Sequence, residues 1–204
     1  EQNIVTRIDP RTGRKFFDPG RIPTQDRGVM TCPYAEGVRN WQAISYDPER
    51  ELLFVPMTIN TCMETKVVHG QRFGSTWQLK TREGGSGRFG ASTSIDLKTG
   101  KPVWREERRA PPTSAQLATA GGIVFEGSAD REFHARRSTT GEVMWRTRLG
   151  ATPTSFPITF TADGKQYVAV VAGGGTYHDG VTTMLTPEID ASPSQPTLWM
   201  FALL

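Results

Sequence analysis

One short pattern occurs twice in this sequence, and it constrains the fold more than any other feature. Asp96, Thr99, Gly100, Lys101 and Trp104 spell D-x-x-T-G-K-x-x-W, and Thr140, Gly141, Glu142 and Trp145 repeat its T-G-x-x-x-W part 41 residues later. A fainter copy, Asp9, Thr12, Gly13 and Phe17, keeps the same internal spacing 87 residues ahead of the middle one, with Phe in place of Trp. Between the copies the chain reads as strand, turn, strand. Residues 42–46 and 52–55 flank Asp47-Pro48-Glu49-Arg50, residues 117–119 and 123–126 flank Gly121-Gly122, and residues 158–160 and 166–171 flank Asp163-Gly164. A period near 40 built from short antiparallel strands predicts an all-β chain of propeller blades, each packing its faces on its neighbours.

Composition agrees. With 21 Gly and 14 Pro in 204 residues the chain is rich in turns, and its 36% hydrophobic content plus glycine is ordinary for a globular domain, which excludes intrinsic disorder. The T-G pair suits a tight turn between outer strands, and the Trp four residues beyond the Gly is placed to dock between blades. Trp104 and Trp145 are therefore structural in the first place. Three periods predict about three blades, the last closed by Leu198-Trp199-Met200-Phe201-Ala202, with irregular loop insertions at about 57–90 and 173–196. Three blades alone expose two broad apolar faces, so residues 1–204 are expected to be part of one larger propeller domain that includes an N-terminal portion.

Charge and cysteine usage exclude other classes. Net charge is +3, too small to point to nucleic acid. The arginines between 105 and 148 are interleaved with Glu106, Glu107, Glu132 and Glu142 and read as a solvated face of mixed sign. The longest apolar runs, 167–172 and 198–204, are far short of a membrane span, and residues 1–15 are too charged for a signal peptide. Cys32 and Cys62 match no CxxC or CxxCH pattern and read as two buried thiols or one disulfide. His69, His134 and His178 have no ligand spacing and read as surface or loop histidines, so no metal site is expected from these residues.

The segment Cys32-Pro33-Tyr34-Ala35-Glu36-Gly37-Val38-Arg39-Asn40-Trp41, followed by Ser45-Tyr46-Asp47-Pro48 and Leu52-Leu53-Phe54-Val55-Pro56, resembles the quinoprotein alcohol dehydrogenases of the methanol and ethanol dehydrogenase type. The likeness continues through residues 118–128, 156–160 and 164–169, and the T-G-x-x-x-W repeats resemble that family's tryptophan-docking motifs. The resemblance implies an eight-bladed propeller, of which this chain is about the C-terminal third. It implies pyrroloquinoline quinone (PQQ) as hydride acceptor on the axis and a Ca²⁺ or lanthanide ion beside it. The reaction implied is oxidation of a small-molecule alcohol to an aldehyde or ketone, with electrons passed to an external acceptor such as a cytochrome c.

The same resemblance assigns residues. Asn40 matches the asparagine whose amide lies near the quinone oxygens, where an N–H donor stabilises growing negative charge. Trp41 matches the N-W form and lines the quinone pocket or packs in the core. Thr113 and Ser114 occupy a loop where relatives often have Trp-Gly and whose backbone reaches the cofactor. Tyr177 rims the substrate funnel or is an ordinary loop tyrosine. Cys32 and Cys62 match a paired position, which implies a disulfide and a periplasmic location. The family's catalytic base and metal ligands come from segments before the equivalent of Glu1, so no catalytic residue is expected here and the chain is expected to be inactive alone. The rival reading is a propeller scaffold of the outer-membrane assembly lipoprotein type, which carries similar repeats and no cofactor.

Overall fold

The structure is a computed structural model, and it describes residues 2–69, 75–175, 184–189 and 195–202. In chain order the strands are β1 (Val5–Ile8), β2 (Lys15–Phe17), β3 (Val29–Thr31), β4 (Ser45–Asp47), β5 (Leu52–Thr58), β6 (Thr61–Val67), β7 (Ser75–Thr81) and β8 (Gly90–Asp96). They continue with β9 (Lys101–Arg108), β10 (Leu117–Ala118), β11 (Ile123–Gly127), β12 (Glu132–Arg137), β13 (Val143–Arg148), β14 (Ile158–Ala162), β15 (Lys165–Ala172) and β16 (Thr197–Ala202). The strands fall into two units: Glu1–Val38 with Ile59–Gly87, and Arg39–Thr58 with Arg88–Leu204.

The second unit holds three antiparallel sheets, ordered β4-β5-β8-β9, β10-β11-β12-β13 and β14-β15-β16. Strand β5 shows why: Leu52, Phe54, Pro56 and Thr58 alternate as its buried side, the two-residue period of a strand laid on a core. The sheets pack face on face. Leu52 and Phe54 meet Val124 with Trp104 against them, and Phe125, Phe133 and Leu149 meet Val168 and Val170 with Trp199 and Phe201 against them.

The repeat makes the same turn three times. Gly13, Gly100 and Gly141 all have φ near +70° (71°, 68° and 75°), a left-handed conformation that favours glycine. Each accepts the same constraint from its backbone: Gly13 N donates to Asp9 O at 2.9 Å, Gly100 N to Asp96 O at 2.8 Å and Gly141 N to Arg137 O at 2.9 Å. Asp9 and Asp96 add a carboxylate oxygen that accepts two further N–H groups of the turn. The turns join β1 to β2, β8 to β9 and β12 to β13, the last pair of a sheet in the two full copies. Both tryptophans reach the following sheet: Trp104 Nε1 donates to Ser138 O at 2.7 Å, and Trp145 meets Phe201 edge-on with centroids 5.0 Å apart.

The first copy of the repeat lies in the β1–β2 hairpin of the other unit, and the sheet β14-β15-β16 has three described strands. One expectation is corrected. The stretch 57–90 is not a loop throughout: β5 runs to Thr58, and β6 and β7 pair antiparallel from Thr61↔Thr81 to Val67↔Ser75, with β3 on the other edge of β6, while 82–89 is irregular. In β6 the apolar residues Cys62, Met63 and Val67 do not alternate strictly, so a period of two is not visible there.

In this first unit the Cys32–Cys62 disulfide is formed, with Cα atoms 4.3 Å apart, and it ties the end of β3 to the start of β6. Among the described residues no helix is long and apolar enough to cross a membrane.

Candidate functional site

Three loops lead into the first strands of the three sheets in the second unit, and backbone hydrogen bonds tie them together. Residues 39–44 precede β4, 111–116 precede β10 and 153–157 precede β14. Gln116 N donates to Ala43 O at 3.1 Å and Ala115 N to Ser155 O at 3.2 Å. Gln42 Nε2 donates to Pro112 O at 3.5 Å. Pro111, Pro112 and Pro153 are fully buried, and lacking an N–H they leave fewer donors to satisfy in a water-poor place.

The middle loop is anchored from behind. Thr113 N donates to Gly127 O at 3.0 Å, Gly127 N donates to Ser114 Oγ at 2.7 Å, and Ser114 Oγ donates to Ala115 O at 2.8 Å. Ser114 is thus fully used in holding the loop. Thr113 is not: it is 4% exposed, and its Oγ1 is buried without a hydrogen-bond partner among the described residues. A buried hydroxyl left unsatisfied costs free energy and needs an explanation.

Asn40 is exposed on the first loop. Trp41 is half-buried and meets Phe156 of the third loop edge-on, with centroids 6.1 Å apart and planes at 61°. The structure therefore brings Trp41, Thr113 and Ser114 into one set of tied loops, with Asn40 adjoining Trp41 in the chain. Tyr177 and His178 lie outside the described residues.

Behind the loop is a cluster that sequence reading missed. Glu126, fully buried on β11, accepts from Arg108 Nη2 at 2.8 Å and Arg136 Nε at 2.9 Å through Oε1, and from Ser92 Oγ at 2.5 Å and Gln116 Nε2 at 2.6 Å through Oε2. His134, 2% exposed, places Nε2 at 2.9 Å from Glu126 Oε1 and 2.5 Å from Arg108 Nη1. Burial raises the Glu126 pKa, but the Arg108 charge, the His134 contact and Arg136 outweigh it and hold the carboxyl well below its ordinary value. Burial lowers the His134 pKa; Glu126 opposes this, Arg108 reinforces it, and the net direction is down. The single Nε2 faces both a guanidinium that can only donate and a carboxylate that can only accept, so the tautomer decides which of the two it serves.

This corrects two expectations. His134 is no surface histidine, and Arg108 and Arg136 do not belong to a solvated face. Strand β12 is covered on both sides, so Phe133, His134, Ala135 and Arg136 are all buried in succession and polar residues there must find partners within the protein. Gln116 links this cluster to the loop bearing Thr113.

A groove of about 730 Å³ is lined by Trp145, Tyr167, Phe201, Met144 and Met200, but no charged group converges on it. Among the described residues no group of three or more His, Cys, Asp or Glu is placed to hold a metal ion.

Comparison with known proteins gives this geometry a context. Residues 88–168 match the family described as glucose/ethanol/alcohol dehydrogenase, beta-propeller domain. The chain is 32% identical over 185 residues to the quinoprotein ethanol dehydrogenase of Pseudomonas putida, covering 84% of this chain and 29% of that protein. It is 32% identical over 184 residues to methanol dehydrogenase [cytochrome c] subunit 1 of Methylobacterium organophilum, covering 85% of this chain and 29% of that protein. A solved europium-containing methanol dehydrogenase superposes with a TM-score of 0.86 at 28% identity, over 100% of this chain and 40% of that one. The chain thus spans under a third of the length of these curated relatives. Repeat, sheets and sequence agree that it is part of a β-propeller, and it belongs to the PQQ-dependent alcohol dehydrogenase family.

Proposed function

We propose that residues 1–204 form part of the cofactor wall of a quinoprotein dehydrogenase with an eight-bladed propeller, which oxidises an alcohol to an aldehyde or ketone. The observation that carries this reading is that the buried hydroxyl of Thr113, one of several without a partner among the described residues, lies in a loop tied to the Asn40–Trp41 loop. A polar ligand accepting from Thr113 Oγ1 would satisfy it, so the residues present fit PQQ. When bound, that group supplies the electron sink for the alcohol's hydride.

The chain's own residues then act by position and charge. The Asn40 amide donates to oxygens that become negative during the reaction. Thr113 donates from within the wall, and Ser114 and the prolines around it keep the loop from moving away. Trp41 excludes water on one side. Ligands for a Ca²⁺ or lanthanide ion and the catalytic base are assigned to parts of the propeller other than these residues. Tyr177 is kept as a funnel residue. An external acceptor such as a cytochrome c takes the electrons, by analogy with the methanol dehydrogenase relative named for it. The Cys32–Cys62 disulfide supports an oxidising, periplasmic location. Relatives that are dehydrogenases favour this reading over a cofactor-free scaffold.

The test is a pair of variants in the complete holoenzyme, assayed by dye-linked alcohol oxidation with melting temperature as control. Asn40→Asp sets an anion beside oxygens that gain negative charge, so it is expected to lose more turnover than Asn40→Ala, which loses about 10²- to 10³-fold. Near-wild-type activity in Asn40→Asp sinks the assignment.

A further inference from the structure

Gln116 is 5% exposed, and it carries an amide where an apolar side chain would bury with no polar group to satisfy. Its Nε2 donates to Glu126 Oε2 at 2.6 Å. A carboxylate only accepts, so the amide oxygen is the end turned away, and Oε1 is buried without a hydrogen-bond partner among the described residues. An unmet acceptor costs free energy, and the donor end is what holds an amide at this position.

That end grips a fixed point. Ser92 on β8, Arg108 on β9 and Arg136 on β12 hold the Glu126 carboxylate from three strands of two sheets, independently of the loops. The next residue, Gly127, accepts from Thr113 N at 3.0 Å and donates to Ser114 Oγ at 2.7 Å. A Cβ on Gly127 would run into Pro153 of the third loop. The backbone N–H of Gln116 meanwhile reaches Ala43 O of the first loop at 3.1 Å. One residue of the middle loop thus joins a sheet-borne carboxylate, through its side chain, to the loop of Asn40 and Trp41, through its backbone.

We propose that Gln116 is a positioning residue for cofactor binding: by gripping Glu126 it sets the placement of the 111–116 loop, and of Thr113 within it, relative to the loop that bears Asn40. This rests on the quinoprotein reading above. Gln116 acts through the loop, because its side chain is turned back into the protein toward Glu126. Ser92 supplies the comparison. It donates to the same carboxylate oxygen at 2.5 Å, but from a strand, so its loss weakens the cluster without freeing the loop.

The experiment uses full-length protein prepared without cofactor and titrated with PQQ in the presence of Ca²⁺, with affinity read by equilibrium dialysis below the melting transition of every variant. Gln116→Met keeps the length of the side chain and removes the donor. It is expected to weaken binding about tenfold, the order of one hydrogen bond to a charged group. In the cofactor-free protein its amide exchange is expected to rise across residues 113–116 while β11 and β12 stay protected. Ser92→Ala is expected to keep wild-type affinity. Wild-type affinity or wild-type exchange in Gln116→Met, or an equal loss of affinity in Ser92→Ala, overturns the positioning role and leaves the quinoprotein reading standing. Failure of the wild-type protein to take up PQQ overturns both.

Discussion

Gly141 lies against the indole of Trp104: a Cβ built on Gly141 meets Trp104 Cδ2 at 2.7 Å and Cε3 at 2.8 Å. Trp104 ends one repeat and Gly141 begins the turn of the next, so the two halves of the motif serve different sheets. The glycine makes its own hairpin and receives the preceding tryptophan. The spacing of 41 residues between Gly100 and Gly141 is therefore a distance from blade to blade.

Gly141 and Gly100 separate the two roles. A Cβ on Gly100 meets nothing within 4 Å, although its φ is +68°. Gly100→Ala is expected to cost about 1–2 kcal/mol for the left-handed backbone alone. Gly141→Ala adds a clash with a docked ring and is expected to cost about 2–5 kcal/mol. Urea unfolding of the full-length protein measures both, and equal losses would refute the docking role.

Glu126→Gln removes the fully buried carboxylate that Arg108 and Arg136 share, and is expected to destabilise by about 3–5 kcal/mol at neutral pH. The folded carboxyl titrates well below its ordinary 4.5, so its stabilisation is complete above that value and is lost as pH falls through the folded pKa. The variant should lack this acid limb. An unchanged profile of stability against pH below 4.5 would remove Glu126 as its source.

His134 acts in a different window. Its folded pKa lies below the ordinary 6.5, so on acidification from about 6.5 the unfolded chain takes up a proton that the folded one does not. Stability should therefore fall with pH between 6.5 and the folded pKa in the wild type, and His134→Gln should flatten that slope. Denaturation at intervals from pH 7.5 to 5 reads it directly, and the same slope in both proteins counts against a buried neutral histidine.

Replacing both Cys32 and Cys62 by Ser opens a link across a sequence separation of 30, and should cost roughly 3.5 kcal/mol in the chain-entropy model. Amide exchange should rise in β3 and β6, whose termini the bond joins, and should leave the strands around Glu126 protected. Loss of protection at β11 and β12 instead would mean that the bond's reach is wider than its sheet.

The turns and docked tryptophans were legible because each is local: a Gly at φ near +70° and a Trp four residues later leave a fixed spacing in the sequence. The buried cluster was not. Glu126 gathers Ser92, Arg108, Gln116, His134 and Arg136 from three strands and a loop, and charges of both signs along residues 105–148 look the same whether water or protein lies beside them. Covering both faces of β12 also erased the alternation that would have marked an inward side. Asn40, Trp41, Thr113 and Ser114 are singled out by resemblance alone, and no spacing in the sequence marks them.

The ties among the three loops run through Gln116 N to Ala43 O and Ala115 N to Ser155 O, and so use groups every residue except proline carries. Side chains along this rim can therefore be exchanged during divergence while the frame stays registered. A substitution there changes what the loops present without loosening how they are held, so surface and frame can vary independently.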